Sequence, residues 1–198
     1  MNITTSQFKY LYVQRGEVSD AYRLGAEAWK IAYERSLESI MASMDGVLPQ
    51  DCRSVLDVGG GMGGLGVLLV RRYPAVDYRV IDGINDPPEV RRHCATFNNA
   101  AVASSFLRAN GVGNFGFYSP SDALDRKFDL VVSFAAWCFH IPPAEYLDRV
   151  KGALAPHATI VLDVRRRRRD WASELVTAFG KPKVLEHGKK HVRLAWQT

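Results

Sequence analysis

Ser54-Val55-Leu56-Asp57-Val58-Gly59-Gly60-Gly61-Met62-Gly63-Gly64 is the stretch on which the fold turns. Residues 54–58 have the apolar, β-branched character of a buried strand. Val47-Leu48-Pro49-Gln50-Asp51, just before them, breaks the preceding pattern. The glycines that follow let the backbone turn sharply and lie close to a bound group, and the helix they open, 64–73, offers free amides at its start. The same letters satisfy two templates: GxGxxG on Gly59, Gly61 and Gly64, and D-x-G-x-G-x-G on Asp57, Gly59, Gly61 and Gly63.

Downstream of the loop, strand and helix patterns alternate: strand 78–81, helix 100–110 closed by Gly111, a short strand 115–118, strand 128–134, helix 144–154 and strand 159–164. Alternation of this kind implies right-handed βαβ units and a parallel sheet covered on both faces. Residues 183–186 and 191–196, joined by His187-Gly188-Lys189-Lys190, read instead as an antiparallel hairpin. Upstream, residues 20–44 carry Ala21, Leu24, Ala28, Ile31, Ala32, Leu37, Ile40 and Met41 at a helical period, in one or two helices. A chain of 198 residues supports one well-buried core. A single domain over 1–198 is therefore expected, with 1–50 as a helical extension and 51–198 as the α/β core.

Composition excludes several classes. Nearly half the residues are apolar and a quarter charged, which is the balance of a globular chain. No apolar run approaches the ~20 residues of a membrane span, and the polar start from Met1 to Ser6 lacks a signal-peptide layout, so a cytoplasmic protein without membrane attachment is expected. Cys52, Cys94 and Cys138 form no CxxC pair and have no histidine at ligand spacing, which predicts neither a disulfide framework nor a metal site. The net charge of +5 comes largely from Arg165 to Arg169; it favours anionic partners mildly and does not by itself make a nucleic-acid binder.

Tyr78-Arg79-Val80-Ile81-Asp82-Gly83 sets an acid at the end of the second strand, about 20 residues past the loop, a spacing suited to a carboxylate that accepts from ribose hydroxyls. A nucleoside-containing cofactor is the consequence. Asp57 discriminates between cofactors, because dinucleotide enzymes usually keep an apolar residue there. A carboxylate facing the loop can hold its amides and meet the ammonium of a methionine moiety, which favours S-adenosyl-L-methionine.

These segments resemble the class I methyltransferase family: its first motif in Val55 to Gly63, its second in Ile81-Asp82-Gly83, and further agreement in Phe128-Asp129-Leu130-Val131-Val132-Ser133 and in Leu154 to Asp163. The resemblance runs from about Ser54 onward. It implies a Rossmann-like α/β fold, a mostly parallel seven-stranded sheet in the order 3-2-1-4-5-7-6 with the last strand antiparallel, in agreement with the hairpin. It also implies that Gly59, Gly61 and Gly63 pass under the methionine part and that Asp82, with Gly83 beside it, binds ribose. The adenine contact after strand three falls on Ser119, Ser121 or Asp122, and Phe134 at the end of strand four joins the cofactor-binding set. Pro156-His157-Ala158 departs from the family's usual Pro-Gly-Gly turn. More narrowly, Phe97-Asn98-Asn99, Arg108 to Val112, Ser133 to His140 and Leu162 to Arg165 resemble bacterial and phage methyltransferases labelled as sugar O-methyltransferases. The implied acceptor is a small hydroxylated molecule, a sugar or a nucleotide-linked compound.

Ligands of open α/β sheets bind beyond the carboxyl ends of the strands, so the loops after strands four and five should face the acceptor. Ala135-Ala136-Trp137-Cys138-Phe139-His140-Ile141-Pro142-Pro143 is aromatic enough to enclose a reactive centre, with Trp137 as a site wall or as core. His140, with an ordinary pKa of about 6.5, is the candidate general base; otherwise it caps the next helix or packs beneath Pro142. Arg165 and Arg166 either grip a phosphate or form a solvated basic turn. Residues 83–97, with Asp86-Pro87-Pro88, form a candidate lid with Phe97 and Asn98 at its return, and Trp29 and Tyr33 cover the site or simply pack. Three rival functions stand beside this one. A nucleic-acid methyltransferase would want an acid or Asn before Pro-Pro and an aromatic after it, where this chain has Ile141-Pro142-Pro143-Ala144, and cytosine chemistry would want a cysteine after proline. The other two are an NAD-dependent oxidoreductase and a non-catalytic nucleoside-binding protein.

Overall fold

The computed structural model describes residues 1–5, 7–8, 10, 25–83 and 99–198. Of the candidate lid over 83–97, all but Gly83 lies outside the described residues, as do Asn98 at its return and Ala21 and Leu24 of the first helical pattern. The main elements in chain order are helix α1 (Ala26–Met44), strand β1 (Ser54–Val58), α2 (Gly64–Arg72), β2 (Asp77–Ile81), α3 (Ala100–Ala109), β3 (Phe115–Tyr118), β4 (Phe128–Ser133), β5 (Ala136–Ile141), α4 (Leu147–Gly152), β6 (Leu154–Arg165), α5 (Arg169–Phe179), β7 (Lys183–His187) and β8 (His191–Gln197). A single 3-10 turn, Pro143–Glu145, precedes α4.

Seven strands form one sheet in the order β3-β2-β1-β4-β6-β8-β7. With β5 set aside this is the 3-2-1-4-5-7-6 order, parallel up to β6 and antiparallel at β6–β8 and β7–β8. The pleat sends alternate residues to opposite faces. Val55, Val80, Leu130, Val132 and Val161 meet α1, α2 and α3 on one face. Leu56, Val58, Val131, Ile160 and Leu162 meet α4 and α5 on the other.

Helix α1 is more than an appended extension. Trp29, Tyr33, Leu37, Ile40 and Met44, spaced three or four apart, are all buried and join the same cluster as β1 and β4. Trp29 and Tyr33 stack at 4.9 Å, so both pack in the core and neither covers an open site. The order of elements follows the sequence reading, with local differences. Residues 136–141, read as a loop, form β5 against β6, with the left-handed φ of +65° at Cys138 breaking its alternation. The helix expected over 144–154 splits at Tyr146, and Leu154 already belongs to β6. His157 sits at φ +62°, which keeps in a histidine the left-handed turn that glycine would make without strain. Helix α5 was not anticipated; Trp171 and Leu175, one turn apart, bury its inner face.

Candidate functional site

The glycine loop leaves β1 at the carboxyl edge of the sheet, where Gly59 N–H donates to Ile81 O at 2.7 Å and ties the loop to the end of β2. Gly59, Gly61 and Gly63 all adopt positive φ, at 75°, 58° and 80°. At Gly59 the chain itself forbids a side chain, since a Cβ would lie 2.1 Å from the Cβ of Ala136. Glycine is thus required here for contact between loop and β5, a reason different from the close approach of a ligand.

Two buried acids flank the loop. Asp57 Oδ2 accepts the Tyr78 hydroxyl at 2.5 Å, and its carboxyl group lies so close beneath Gly60 that a Cβ there would come within 2.6 Å of it. Burial first, then the Asp57 charge, push the Tyr78 phenol well above its usual range, so it remains a donor. Asp82 Oδ2 accepts from Gly61 N–H at 2.7 Å and Oδ1 from Gly83 N–H at 2.7 Å. The acid expected to meet ribose therefore also fastens the loop, a task that the sequence reading gave to Asp57. Tyr78 was missed as the partner of Asp57; its signal was a tyrosine two positions before Val80, which pairs with Asp57, in a strand otherwise read only for Asp82.

After β3, Ser119 N–H donates to Asp122 Oδ2 at 2.8 Å and Asp122 N–H returns to Ser119 O at 3.0 Å. Arg149 caps this turn by donating to Pro120 O and Asp122 O. Because Asp82 N–H donates to Tyr118 O at 3.2 Å, the Ser119–Asp122 turn and the ribose candidate share one edge of the sheet. The adenine candidates are thus brought beside Asp82.

Beyond β4 the chain bends sharply, with Ala135 at φ +58°. Ser133 Oγ donates to Val58 O at 2.7 Å and accepts from Trp137 N–H at 3.0 Å, locking the bend to β1. Trp137 is corrected from a site wall to a core residue: it is 0% exposed, and its indole Nε1–H is spent on Pro143 O at 3.0 Å. Phe134 is half-buried with the Arg193 guanidinium 4.7 Å over its ring. His140 is exposed; burial first, then the charges of Arg165 and Lys190, lower its pKa, which keeps it neutral near pH 7. Arg165 lies over the Phe139 ring at 5.4 Å, while exposed Arg166 donates to Gly188 O at 3.4 Å. Arg168 stacks on Trp171. The basic run therefore has structural contacts at Arg165, Arg166 and Arg168.

A cavity of about 180 Å³ opens on the α1 face of the sheet, between Ser36 and Ser39 of α1, Ala135 and Phe139 beyond β4, and Asp163 and His191 on β6 and β8. Sequence reasoning missed this group, because Asp163, Glu186, His191 and Arg193 meet only through the β6–β8–β7 register. Arg193 is 3% exposed and clamps Asp163 through two bonds of 2.8 and 3.0 Å, while its third nitrogen reaches Glu186 at 2.7 Å and Ser43 at 2.8 Å. Burial raises the Asp163 pKa above the ordinary aspartate value, although Arg193 pulls it down. Among the described residues no group of three His, Cys, Asp or Glu is placed to hold a metal ion, and no helix is long and apolar enough to cross a membrane.

No family model matches the sequence, and no curated protein matches it either. Solved structures do share its architecture. A SAM-dependent methyltransferase from Aquifex aeolicus superposes with a TM-score of 0.58 at 16% identity, covering 91% of this chain and 97% of its own. An O-methyltransferase family protein from Burkholderia thailandensis gives 0.52 at 14% identity over 94% and 68% of the two chains. A ribosomal protein L11 methylase from Lactobacillus delbrueckii subsp. bulgaricus gives 0.55 at 18% identity over 78% and 74%. At these identities the similarity shows the fold, which is that of the Rossmann-like methyltransferases.

Proposed function

We propose that the chain is an S-adenosyl-L-methionine-dependent methyltransferase acting on a hydroxyl of a small acceptor, a sugar or a nucleotide-linked compound. The observation that carries the reading is the pair of buried carboxylates, Asp57 and Asp82, held against one left-handed glycine loop at the carboxyl edge of a sheet with methyltransferase strand order. Two anions beside the loop disfavour the pyrophosphate of a dinucleotide and suit an ammonium and a ribose diol. The residues present therefore fit S-adenosylmethionine better than NAD.

The bound cofactor supplies an electrophilic methyl carbon. The rest of the task belongs to the chain. Gly59, Gly61 and Gly63 pass beneath the methionine part, Asp82 accepts from ribose hydroxyls with Gly83 beside it, and Ser119 or Asp122 meets adenine. Phe134 borders the cofactor where β4 ends. Arg165 and Arg166 attract an anionic portion of the acceptor, such as a phosphate. Positioning of acceptor and methyl in line supplies much of the rate in such a reaction.

Calorimetry with S-adenosylmethionine, S-adenosylhomocysteine and NAD tests the premise, followed by release of S-adenosylhomocysteine in the presence of hydroxylated acceptors. Binding of the first two and not of NAD is expected. A folded protein with no affinity for either sulfur compound would overturn the assignment.

A further inference from the structure

The inference rests on the methyltransferase reading and names the chemical group by which the acceptor is held. Placement is the first argument. Strand β6 runs parallel to β4, as β4 does to β1, so Arg165 at its end stands on the same carboxyl edge as the glycine loop and Phe134. Strand β8 runs antiparallel and pairs His191 with Arg165, which brings the turn from β7 to β8 to that edge as well. The two turns are tied together, since Arg166 N–H donates to Lys190 O at 3.0 Å and the Arg166 side chain donates to Gly188 O at 3.4 Å. Arg165 to Arg169, Lys189 and Lys190 are thereby gathered in one place.

Charge is the second. In the whole chain 26 Lys and Arg face 21 Asp and Glu; setting these seven aside leaves 19 against 21. The positive surplus of the protein is thus the surplus of this edge. Among the described residues none of the seven forms an ion pair, although Lys30, Arg71, Arg72, Arg79, Arg126 and Arg193 all find acids elsewhere. Arg168 caps α5 and Arg169 begins it, so both also stand at the positive end of that helix, with one acid, Asp170, in its first turn. Repulsion of this kind costs free energy that an anion would recover.

The third argument is the fixing of the side chains. The Arg165 guanidinium lies 5.4 Å over the Phe139 ring, and that of Arg168 lies 4.8 Å over Trp171. A guanidinium held by its face keeps the donors of its edge for phosphate oxygens. Arg165 and Lys190 also converge on His140: after burial, their two charges are what lower its pKa. Phe139 and Trp171 are each 7% exposed, so neither offers a face on which a nucleobase could stack, which disfavours a polynucleotide chain.

We propose that the acceptor is a phosphate-bearing sugar and not a free one, and that Arg165 and Lys190 seat its phosphate while the other cations of the edge draw it in.

Inorganic pyrophosphate is the first probe, added to the full chain with and without S-adenosylhomocysteine. It should raise the His140 pKa, followed through the ring resonances in heteronuclear NMR, because it offsets two of the charges that lower it. Glucose 1-phosphate or UDP-glucose should be methylated with a kcat/KM at least about 30-fold above that of methyl α-D-glucopyranoside. Arg165→Gln combined with Lys190→Gln should raise the KM of the phosphorylated probe about 10-fold or more, hold kcat and S-adenosylhomocysteine affinity within about threefold, and abolish the pyrophosphate response. Lys151→Gln, at an exposed cation just ahead of β6 and so at the opposite edge, should change none of these. The proposal is overturned by an unmoved His140 titration in wild-type protein, by turnover of methyl α-D-glucopyranoside equal to that of the phosphorylated probes, or by turnover of none of the three. It is overturned equally by a single-stranded uridine decamer that binds this edge more tightly than UDP-glucose at about 0.15 M salt. Failure to bind S-adenosylhomocysteine would instead fell the methyltransferase assignment, a result told apart from these because the pyrophosphate response needs no cofactor.

Discussion

Gly59→Ala isolates the contact that shapes the loop. The new Cβ would lie 2.1 Å from the Cβ of Ala136, against the roughly 3.5–4.0 Å of ordinary carbon contact. Overpacking of this kind costs about 1–3 kcal/mol. Holding alanine at φ +75° costs about 1–2 kcal/mol more. The reduced entropy of the unfolded chain returns about 0.4–1 kcal/mol. A net loss of about 2–4 kcal/mol is expected, a large part of the ~5–15 kcal/mol that stabilises a typical domain. Ala136→Gly alone should cost about 0.5–1 kcal/mol. The double variant should be more stable than Gly59→Ala, with a coupling of about 1–3 kcal/mol, because the overlap has gone while the backbone strain remains. Urea titrations of the four proteins, followed by circular dichroism with the m-values compared, measure this directly. Costs that simply add, or a Gly59→Ala loss below about 0.5 kcal/mol, would refute self-packing as the reason for glycine at this position.

Three further outcomes are expected. Asp82→Ala strips the acceptor from the Gly61 and Gly83 amides and should cost about 1–3 kcal/mol in urea unfolding together with most of the S-adenosylhomocysteine affinity seen by calorimetry; unchanged affinity would separate the acid from the cofactor. Trp137→Phe removes the indole donor from the Pro143 carbonyl, which keeps only the Tyr146 N–H at 3.1 Å, and should lower the melting temperature while the acceptor KM stays fixed, and a KM effect without a stability effect would return Trp137 to the site wall. Burial raises the Cys52 thiol from near 9 to about 12, so its contribution is complete below pH about 9 and is lost as the pH climbs toward 12. The urea midpoint should therefore fall more steeply between pH 9 and 10.5 in the wild type than in Cys52→Ala, and parallel slopes would contradict this.

What the sequence disclosed and what it withheld divide along a physical line. Val55 to Gly64 and Asp82 are legible because strand, turn and acid are neighbours in the chain, and each carries its own constraint: apolar burial, positive φ, a carboxylate at a strand end. Helix α5 escaped because five arginines precede an amphipathic pattern whose buried part is short, Trp171 and Leu175. Strand β5 escaped because its apolar residues run consecutively, and a left-handed Cys138 turns them where no proline or glycine gives warning. Trp137 and His140 stand three apart in that segment, yet one is sealed in the core and the other exposed, a difference that composition does not encode. The acid, histidine and arginine of the cavity depend on antiparallel register, Asp163 opposite Arg193 and Arg165 opposite His191, which no local pattern announces.

The placing of β8 between β6 and β7 has a bearing on how the protein is made. Strand β7 leaves the ribosome first, yet it lies outside β8 and has no partner until the later strand has slotted in. Arg193 then closes the arrangement by reaching Ser43, 150 positions earlier in the chain. Translation can thus raise the cofactor half of the molecule while the pocket beside α1 still lacks its histidine and its arginine. A nascent chain halted before residue 191 would be expected to hold S-adenosyl-L-methionine without the cavity lining that His191 and Arg193 complete.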